Sequence, residues 1–459
     1  MNHFQSPKEA IKKLKDSNDI GIKYHIIWWL GKHKCAESLP ILCDIININN
    51  DQIELGGFPL RRQAARSLGM IADRSSIPTL INALSSSDLR LQEASLLALK
   101  AIGEKRIVPD LIKYVQASSK LKPLEILIET LAFFEVWEMA EIIQNYLDDP
   151  SQRVQGAAGI FFYRMTRDPQ YLGALKINLS DENAFLRQSA AFDLAQCNDP
   201  VLKQMILPAS LPNNVKMASL KQMLENHISA EPKNSRDSQQ VDAISKEILL
   251  DIDRLIANAA EGNLPPHNSS VQHNKGGSSL ESDTRSQLIT ALNSNNKHYH
   301  GLIAELKTSR APDSKLLTKV CLETPDQDIR AAIVQFIYVL ACPQAVPILQ
   351  SVIGLEVANH CQGKLRRIAI LALGRIYSSA ELSTESKRSI QQTLEWAYTT
   401  PDDWGLRYAA VMAYETMGMK GPLSFNLLTD ATKACQSNMI VMLRSSVAES
   451  AVKTSQRVF

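Results

Sequence analysis

A chain of 459 residues is too long for one ordinary compact core, and 45% apolar against 21% charged residues gives it material for more than one. The formal net charge of +2 lacks the basic excess of a nucleic-acid binder, and no run reaches the roughly 20 apolar residues of a membrane span. Cys35, Cys43, Cys197, Cys321, Cys342, Cys361 and Cys435 form no CxxC pair, so they read as reduced thiols of a cytoplasmic protein, not as a disulfide framework or a zinc site. The polar opening Met1-Asn2-His3-Phe4 carries no signal-peptide apolar core.

In chain order, the first distinctive segment is Tyr24-His25-Ile26-Ile27-Trp28-Trp29-Leu30-Gly31-Lys32-His33. Helical spacing puts Tyr24, Trp28 and Lys32 on one face. Gly56-Gly57-Phe58-Pro59 follows, where glycines ahead of a proline-started helix form a tight turn or leave room for a ligand. Leu60-Arg61-Arg62-Gln63-Ala64-Ala65-Arg66-Ser67-Leu68-Gly69 then reads as a helix whose alanines allow close neighbours. Ala72-Asp73-Arg74-Ser75 reads as a turn and Ile77-Pro78 as the start of a second helix. The pattern returns, with related helices starting near Leu91, Leu121, Arg153 and Leu186, at intervals of 30 to 33 residues. A repeat of this length marks a solenoid, in which each helix pair buries its apolar stripe only by stacking on the next.

From about 229 to 285 the composition changes to Glu231-Pro232, Pro265-Pro266 and Gly276-Gly277-Ser278-Ser279, which is loop or disorder composition. One amphipathic helix, about 241–260, interrupts it, with Ile244, Ile248, Leu249, Ile252, Leu255 and Ile256 on one face. Apolar helices then open at Ile329-Arg330, Leu365-Arg366-Arg367 and Leu406-Arg407. The expectation is an all-α protein, an α-solenoid of HEAT-like repeats in two arms. The N-terminal arm is 1–228 and the C-terminal arm 286–459, joined by the partly disordered linker 229–285.

Familiar catalytic motifs are missing: no Walker phosphate loop, no GxSxG elbow, no HExxH helix. None of the nine histidines is followed by Glu, which argues against the iron-dependent HEAT-repeat hydroxylases that use His-Glu pairs. His25, His33 and His360 titrate near neutrality in principle, but nothing in the sequence pairs them with a carboxylate. The most suggestive cluster is Asp402-Asp403-Trp404-Gly405-Leu406-Arg407-Tyr408-Ala409-Ala410-Val411, with two carboxylates, an indole, a guanidinium and a phenol at a helix start. An Asp there also serves as a helix cap, and Trp404 as core. Phe161-Phe162-Tyr163-Arg164 is a second aromatic and arginine group, open to core packing as well as to a binding role. Arg187, Arg330, Arg366 and Arg367 read as arginines that bond neighbouring repeats.

These clusters resemble the E/F-type phycobilin lyases of cyanobacteria, HEAT-repeat proteins that attach linear tetrapyrroles to phycobiliprotein cysteines. The resemblance is carried by Tyr24…Trp28-Trp29-Leu30-Gly31-Lys32, by the Leu60–Gly69 repeat and above all by Asp403-Trp404-Gly405-Leu406-Arg407-Tyr408-Ala409-Ala410. The length looks most like the single-chain phycoerythrin-specific members. The resemblance implies that a thiol of a phycoerythrin α-subunit adds to ring A of phycoerythrobilin, with isomerisation to phycourobilin left open. The bilin is then the substrate, and neither a permanently bound cofactor nor a metal is implied. The needs of such a ligand assign Asp403, Tyr408 and Asp402 to proton transfer and pyrrole binding. They assign Trp404, Arg407, Arg62, Trp28, Tyr24 and Tyr163 to bilin binding. The implied setting is the cyanobacterial cytoplasm, with neither nucleic acid nor membrane insertion. Two other readings stay open: a non-enzymatic scaffold or chaperone that binds a protein on its concave face, and a solenoid DNA glycosylase, which would need a basic groove.

Overall fold

The computed structural model describes residues 4, 6–47, 59–117, 121–230, 242–261, 277–294, 299–309, 314–324, 326–354, 360–399, 403–418 and 439–457. Among these the regular elements are all helical. Packing divides the chain into two compact units, Met1–Cys197 and Asn198–Phe459, so the division falls ahead of residue 228, where the composition changes.

The first unit holds α1 (Pro7–Asp16), α2 (Ile20–Lys32), α3 (Leu39–Asn47), α4 (Pro59–Ile71), α5 (Ile77–Ala83), α6 (Leu89–Ile102), α7 (Val108–Gln116), α8 (Leu124–Phe133), α9 (Ala140–Gln144), α10 (Gln152–Thr166), α11 (Gly173–Leu179) and α12 (Ala184–Ala195). Helices α2, α4, α6, α8, α10 and α12 pack each on the next in one row, and α1, α3, α5, α9 and α11 lean on that row. Leu30, Leu68, Leu99 and Leu131 recur along it, all fully buried. Each such side chain contributes about 2 kcal/mol by leaving water. Small residues set the spacing. A Cβ on Gly31 would lie 2.7 Å from Ser67, and one on Gly69 would lie 2.8 Å from the Ala98 Cα.

The repeat is built at the helix ends. Asp19, Asp88 and Asn183 cap α2, α6 and α12 by accepting from a backbone N–H inside the first turn. After each helix of the row the chain turns through one left-handed residue, in order Lys34, Ala72, Gly103, Glu135, Arg167 and Asn198. A one-turn 3-10 helix follows each time, as at Arg74–Ser76 after Ala72. The helix expected near Leu121 begins instead at Leu124. Pro123 stands at its cap position, and a proline disfavours helical backbone in the residue before it.

The second unit holds α13 (Lys203–Ile206), α14 (Asn213–Ala230), α15 (Ala243–Glu261), α16 (Gly277–Ser294), α17 (His300–Thr308), α18 (Ser314–Glu323), α19 (Gln327–Leu340), α20 (Val346–Gly354), α21 (His360–Ser379), α22 (Thr384–Thr399), α23 (Trp404–Gly418) and α24 (Met439–Arg457). Its row runs α16, α19, α21, α23, α24. Gly374 repeats the close-approach device against Ala413 at 2.8 Å. The helix in the linker-like segment is α15, and it packs on α14, α19 and α21. Ile248, Leu249, Ile252 and Ile256 are buried there, while Ile244 is exposed. The Gly-Gly-Ser-Ser run was expected as loop, but from Gly277 it forms the first turn of α16. The other linker signals, within 231–241 and 262–276, and the Gly56-Gly57-Phe58 turn lie outside the described residues. No helix among the described residues is long and apolar enough to cross a membrane.

Candidate functional site

The strongest sequence cluster sits at the N-terminus of α23. Asp403 accepts from Gly405 N–H at 3.0 Å and Leu406 N–H at 3.2 Å through Oδ1, so it is the helix cap. Its neighbour Asp402 lies outside the described residues. Trp404 is half-buried, packs edge-on to Tyr408 with ring centroids 6.2 Å apart, and has Lys221 Nζ of α14 at 6.0 Å from its ring. Arg407 donates to the Thr399 carbonyl at 3.1 Å, the same eight-residue reach with which Arg330 binds the Leu322 carbonyl. Behind Asp403 stands Arg367 of α21. A Cβ on Gly405 would come within 3.1 Å of Arg367 Nη1, and one on Gly363 within 3.3 Å. Two missing side chains thus make room for this guanidinium. Burial lowers the Arg367 pKa from the usual arginine range, against the opposing charge of Asp403.

Tyr408 corrects an expectation. Its side chain is fully buried, and its hydroxyl lies 2.8 Å from Asp253 Oδ1 and 3.0 Å from the Leu249 carbonyl, both on α15. Burial, then the Asp253 charge, raises the phenol pKa well above its ordinary value. A phenol with no exposed surface and its proton held by a carboxylate has no route to a ligand, so Tyr408 fastens α15 to α23. Arg444 of α24 completes the clamp, donating to Asp253 at 3.0 Å and to Glu415.

In the first unit, Tyr24, Pro59, Arg62, Arg66 and Arg90 line an open cleft of about 330 Å³. Arg62 is already engaged, with Nε and Nη2 donating to Asp88 Oδ2 and Oδ1 at 2.7 and 2.8 Å. Trp28, one turn after Tyr24, is exposed, with Lys32 Nζ 5.2 Å from its ring. Tyr163 is buried in α10, with the Arg167 guanidinium 5.8 Å from its ring centroid. The residues assigned to one bilin site are therefore divided between the units. Asp403, Trp404, Arg407 and Tyr408 share α23 or its cap, Tyr24 and Arg62 share the cleft, and Tyr163 stands apart from that cleft.

Residues 58–132 match the HEAT repeats family. The bilin biosynthesis protein PecE of Nostoc sp. (strain PCC 7120) is 41% identical over 221 residues, which is 48% of this chain and 87% of that protein. The chain belongs to the HEAT-repeat bilin lyase family. The phycocyanobilin lyase subunit alpha of the same Nostoc strain, another relative of this family, is 34% identical over 49% of this chain and 86% of its own length. The solved complex of CpcE and CpcF of phycocyanin lyase from Nostoc sp. PCC7120 matches 55% of this chain and 96% of its own matched chain at 29% identity, with a TM-score of 0.48.

Of the four arginines expected to bond neighbouring repeats, Arg330 and Arg366 reach back to the preceding helix, while Arg187 holds the turn just ahead of its own. Arg187 donates to the carbonyls of Asp181 and Glu182, Arg330 to that of Leu322 and Arg366 to that of Ile353. Among the described residues Arg367 does neither, and sequence reasoning missed it as a site residue. The available signal was the repeated Leu-Arg-Arg, at Leu60-Arg61-Arg62 and Leu365-Arg366-Arg367. Lys221, from a helix distant in sequence, left no such signal.

Proposed function

We propose that this chain is a bilin lyase that joins phycoerythrobilin through a thioether to a cysteine of a phycoerythrin α-subunit, in the cytoplasm of a cyanobacterium. The single observation that carries the lyase reading is the 34% identity to the phycocyanobilin lyase subunit alpha across 86% of that protein. The choice of phycoerythrobilin rests on the length, which resembles that of the single-chain phycoerythrin-specific members. Phycocyanobilin is the second candidate, because several relatives are named phycocyanobilin lyase subunits.

The chemistry asked of the protein is limited. The acceptor thiolate forms a carbon–sulfur bond at the ethylidene group of ring A, and a proton goes to the ring carbon at the other end of the double bond. The nucleophile belongs to the acceptor. Among the described cysteines of this chain Cys35, Cys197 and Cys321 are buried, and burial pushes the Cys321 thiol up to about 11. Asp403 has one oxygen engaged in the cap, and its second is the candidate to hold pyrrole N–H groups or pass a proton. Trp404 offers a flat wall, with Lys221, itself paired with Glu225, near its ring.

The test is co-expression with enzymes that make phycoerythrobilin or phycocyanobilin and with candidate phycobiliprotein α-subunits, followed by acid-urea absorbance of the purified acceptor. A covalent phycoerythrobilin spectrum supports the reading, and a phycourobilin spectrum adds isomerisation. An acceptor without any covalent chromophore returns the chain to the protein-binding scaffold. Asp403→Asn keeps a good helix cap and removes the charge, so it should abolish attachment at unchanged helical content.

A further inference from the structure

The Leu-Arg-Arg tripeptide builds the same device twice. Arg61 Nε donates to the Ile46 carbonyl at 2.7 Å, and Arg366 Nε to the Ile353 carbonyl at 2.7 Å. The second arginine of each tripeptide faces the aspartate that caps the next helix of its row, Arg62 facing Asp88 and Arg367 facing Asp403. In the first unit the device is closed by the two-pronged Arg62–Asp88 pair. In the second it is open. Among the described residues Arg367 has no hydrogen-bond acceptor and Asp403 Oδ2 accepts no hydrogen bond. Two residues after the cap the closed pair has Arg90, while the open pair has Gly405, whose missing side chain leaves Nη1 its space.

A guanidinium partly withdrawn from water and left unpaired is costly, and its planar donors match a carboxylate. Among the described residues no ion pair joins Arg367 to Asp403, whose carboxylate is aligned with a helix start. We infer that Arg367 and Asp403 form an open receptor pair, in which Arg367 takes a propionate carboxylate of the bilin and the second oxygen of Asp403 takes its pyrrole N–H groups. This rests on the bilin-lyase reading and deepens it, since it moves the propionate from Arg62 and Arg407, which have protein partners, to Arg367, which has no acceptor among the described residues.

The experiment is an absorbance titration of the full chain with free phycoerythrobilin and with its dimethyl ester, in which both propionates are masked. The wild-type chain should bind the free acid roughly ten- to a hundredfold more tightly than the diester, the range expected for a charge-assisted hydrogen-bonded pair. Arg367→Gln should erase that preference and leave diester affinity unchanged, while Arg367→Lys should restore part of it. Gly405→Ala, which puts a methyl group against Nη1, should weaken the free acid in the same way at unchanged helical content. Equal loss for both ligands in Arg367→Gln, or no loss for either, overturns the inference. Wild-type protein that attaches bilin yet binds acid and diester equally also overturns it, and leaves the lyase reading standing. Wild-type protein that neither binds nor attaches a bilin overturns the lyase reading itself.

Discussion

The two Leu-Arg-Arg sites differ in one respect: Arg62 is paired with its carboxylate, and among the described residues Arg367 is not. Both lie on a row helix, both follow an arginine tied to the preceding helix, and both face a capping aspartate. The closed pair stiffens the solenoid, with Asp88 buried beneath a half-covered guanidinium. The open pair lies at a helix start where the Trp404 indole also stands, with Lys221 near its ring. An arginine in a repeat protein is therefore read by whether its donors are used, because sequence position alone is the same in both.

The comparison can be broken in graded steps. The largest effect is expected below the open site, where Asp253 holds Tyr408 and the buried Arg444. Asp253→Ala leaves Arg444 with Glu415 alone and should cost about 3 kcal/mol in chemical denaturation. Next come the arginines. Arg62→Gln leaves Asp88 buried with its cap bonds only and should cost about 2 kcal/mol, whereas Arg367→Gln should change stability by about 0.5 kcal/mol or less while removing the preference for the free bilin acid. Equal destabilisation by the two substitutions would erase the distinction between closed and open. Tyr408→Phe should cost about 1 kcal/mol and keep attachment activity, which separates a clamp from a proton donor.

The first unit also holds a buried cluster of charged side chains. Arg153 lies between Glu125 and Asp193, the latter at 3.0 Å, and Lys100 reaches Glu129 at 3.2 Å. Burial, then the Glu129 charge, pushes the Asp193 carboxyl up to about 8 against the pull of Arg153. A carboxyl raised on folding keeps its proton in the folded state after the unfolded chain has lost it. Stability should therefore fall as pH rises from about 4 to 8 and level off above that. Asp193→Asn should flatten this slope in unfolding midpoints taken at pH 5 and pH 8. The smallest effect belongs to the turns. Ala72 has φ of 58°, so Ala72→Gly should raise stability by about 0.5 kcal/mol, the relief of left-handed strain less the extra freedom of the unfolded chain.

Much of the fold was legible because it is local. Alanine spacing, the prolines of Ile77-Pro78 and Val108-Pro109 and the recurrence of Leu-Arg give helix pairs without knowledge of what they touch. The left-handed turns were hidden, because Lys34, Ala72, Glu135, Arg167 and Ala341 occupy a conformation usually signalled by glycine. The 229–285 segment was legible in part. The helix expected there at about 241–260 is α15, but its apolar face has a destination only once α19 and α21 are assembled, and the Gly277-Ser278-Ser279 run read as loop opens α16.

The site divides in the same way. The sequence by itself determined that this is an all-helical repeat protein and that Asp403 and Trp404 stand together at a helix start, since helical periodicity and capping act over a few residues. Tertiary structure alone decided that Tyr408 is a clamp and that Arg367 lies open behind Asp403. Those outcomes depend on Asp253 and Asp403 arriving from elsewhere in the chain, and a hydrogen bond acts over about 3 Å whatever the separation in sequence.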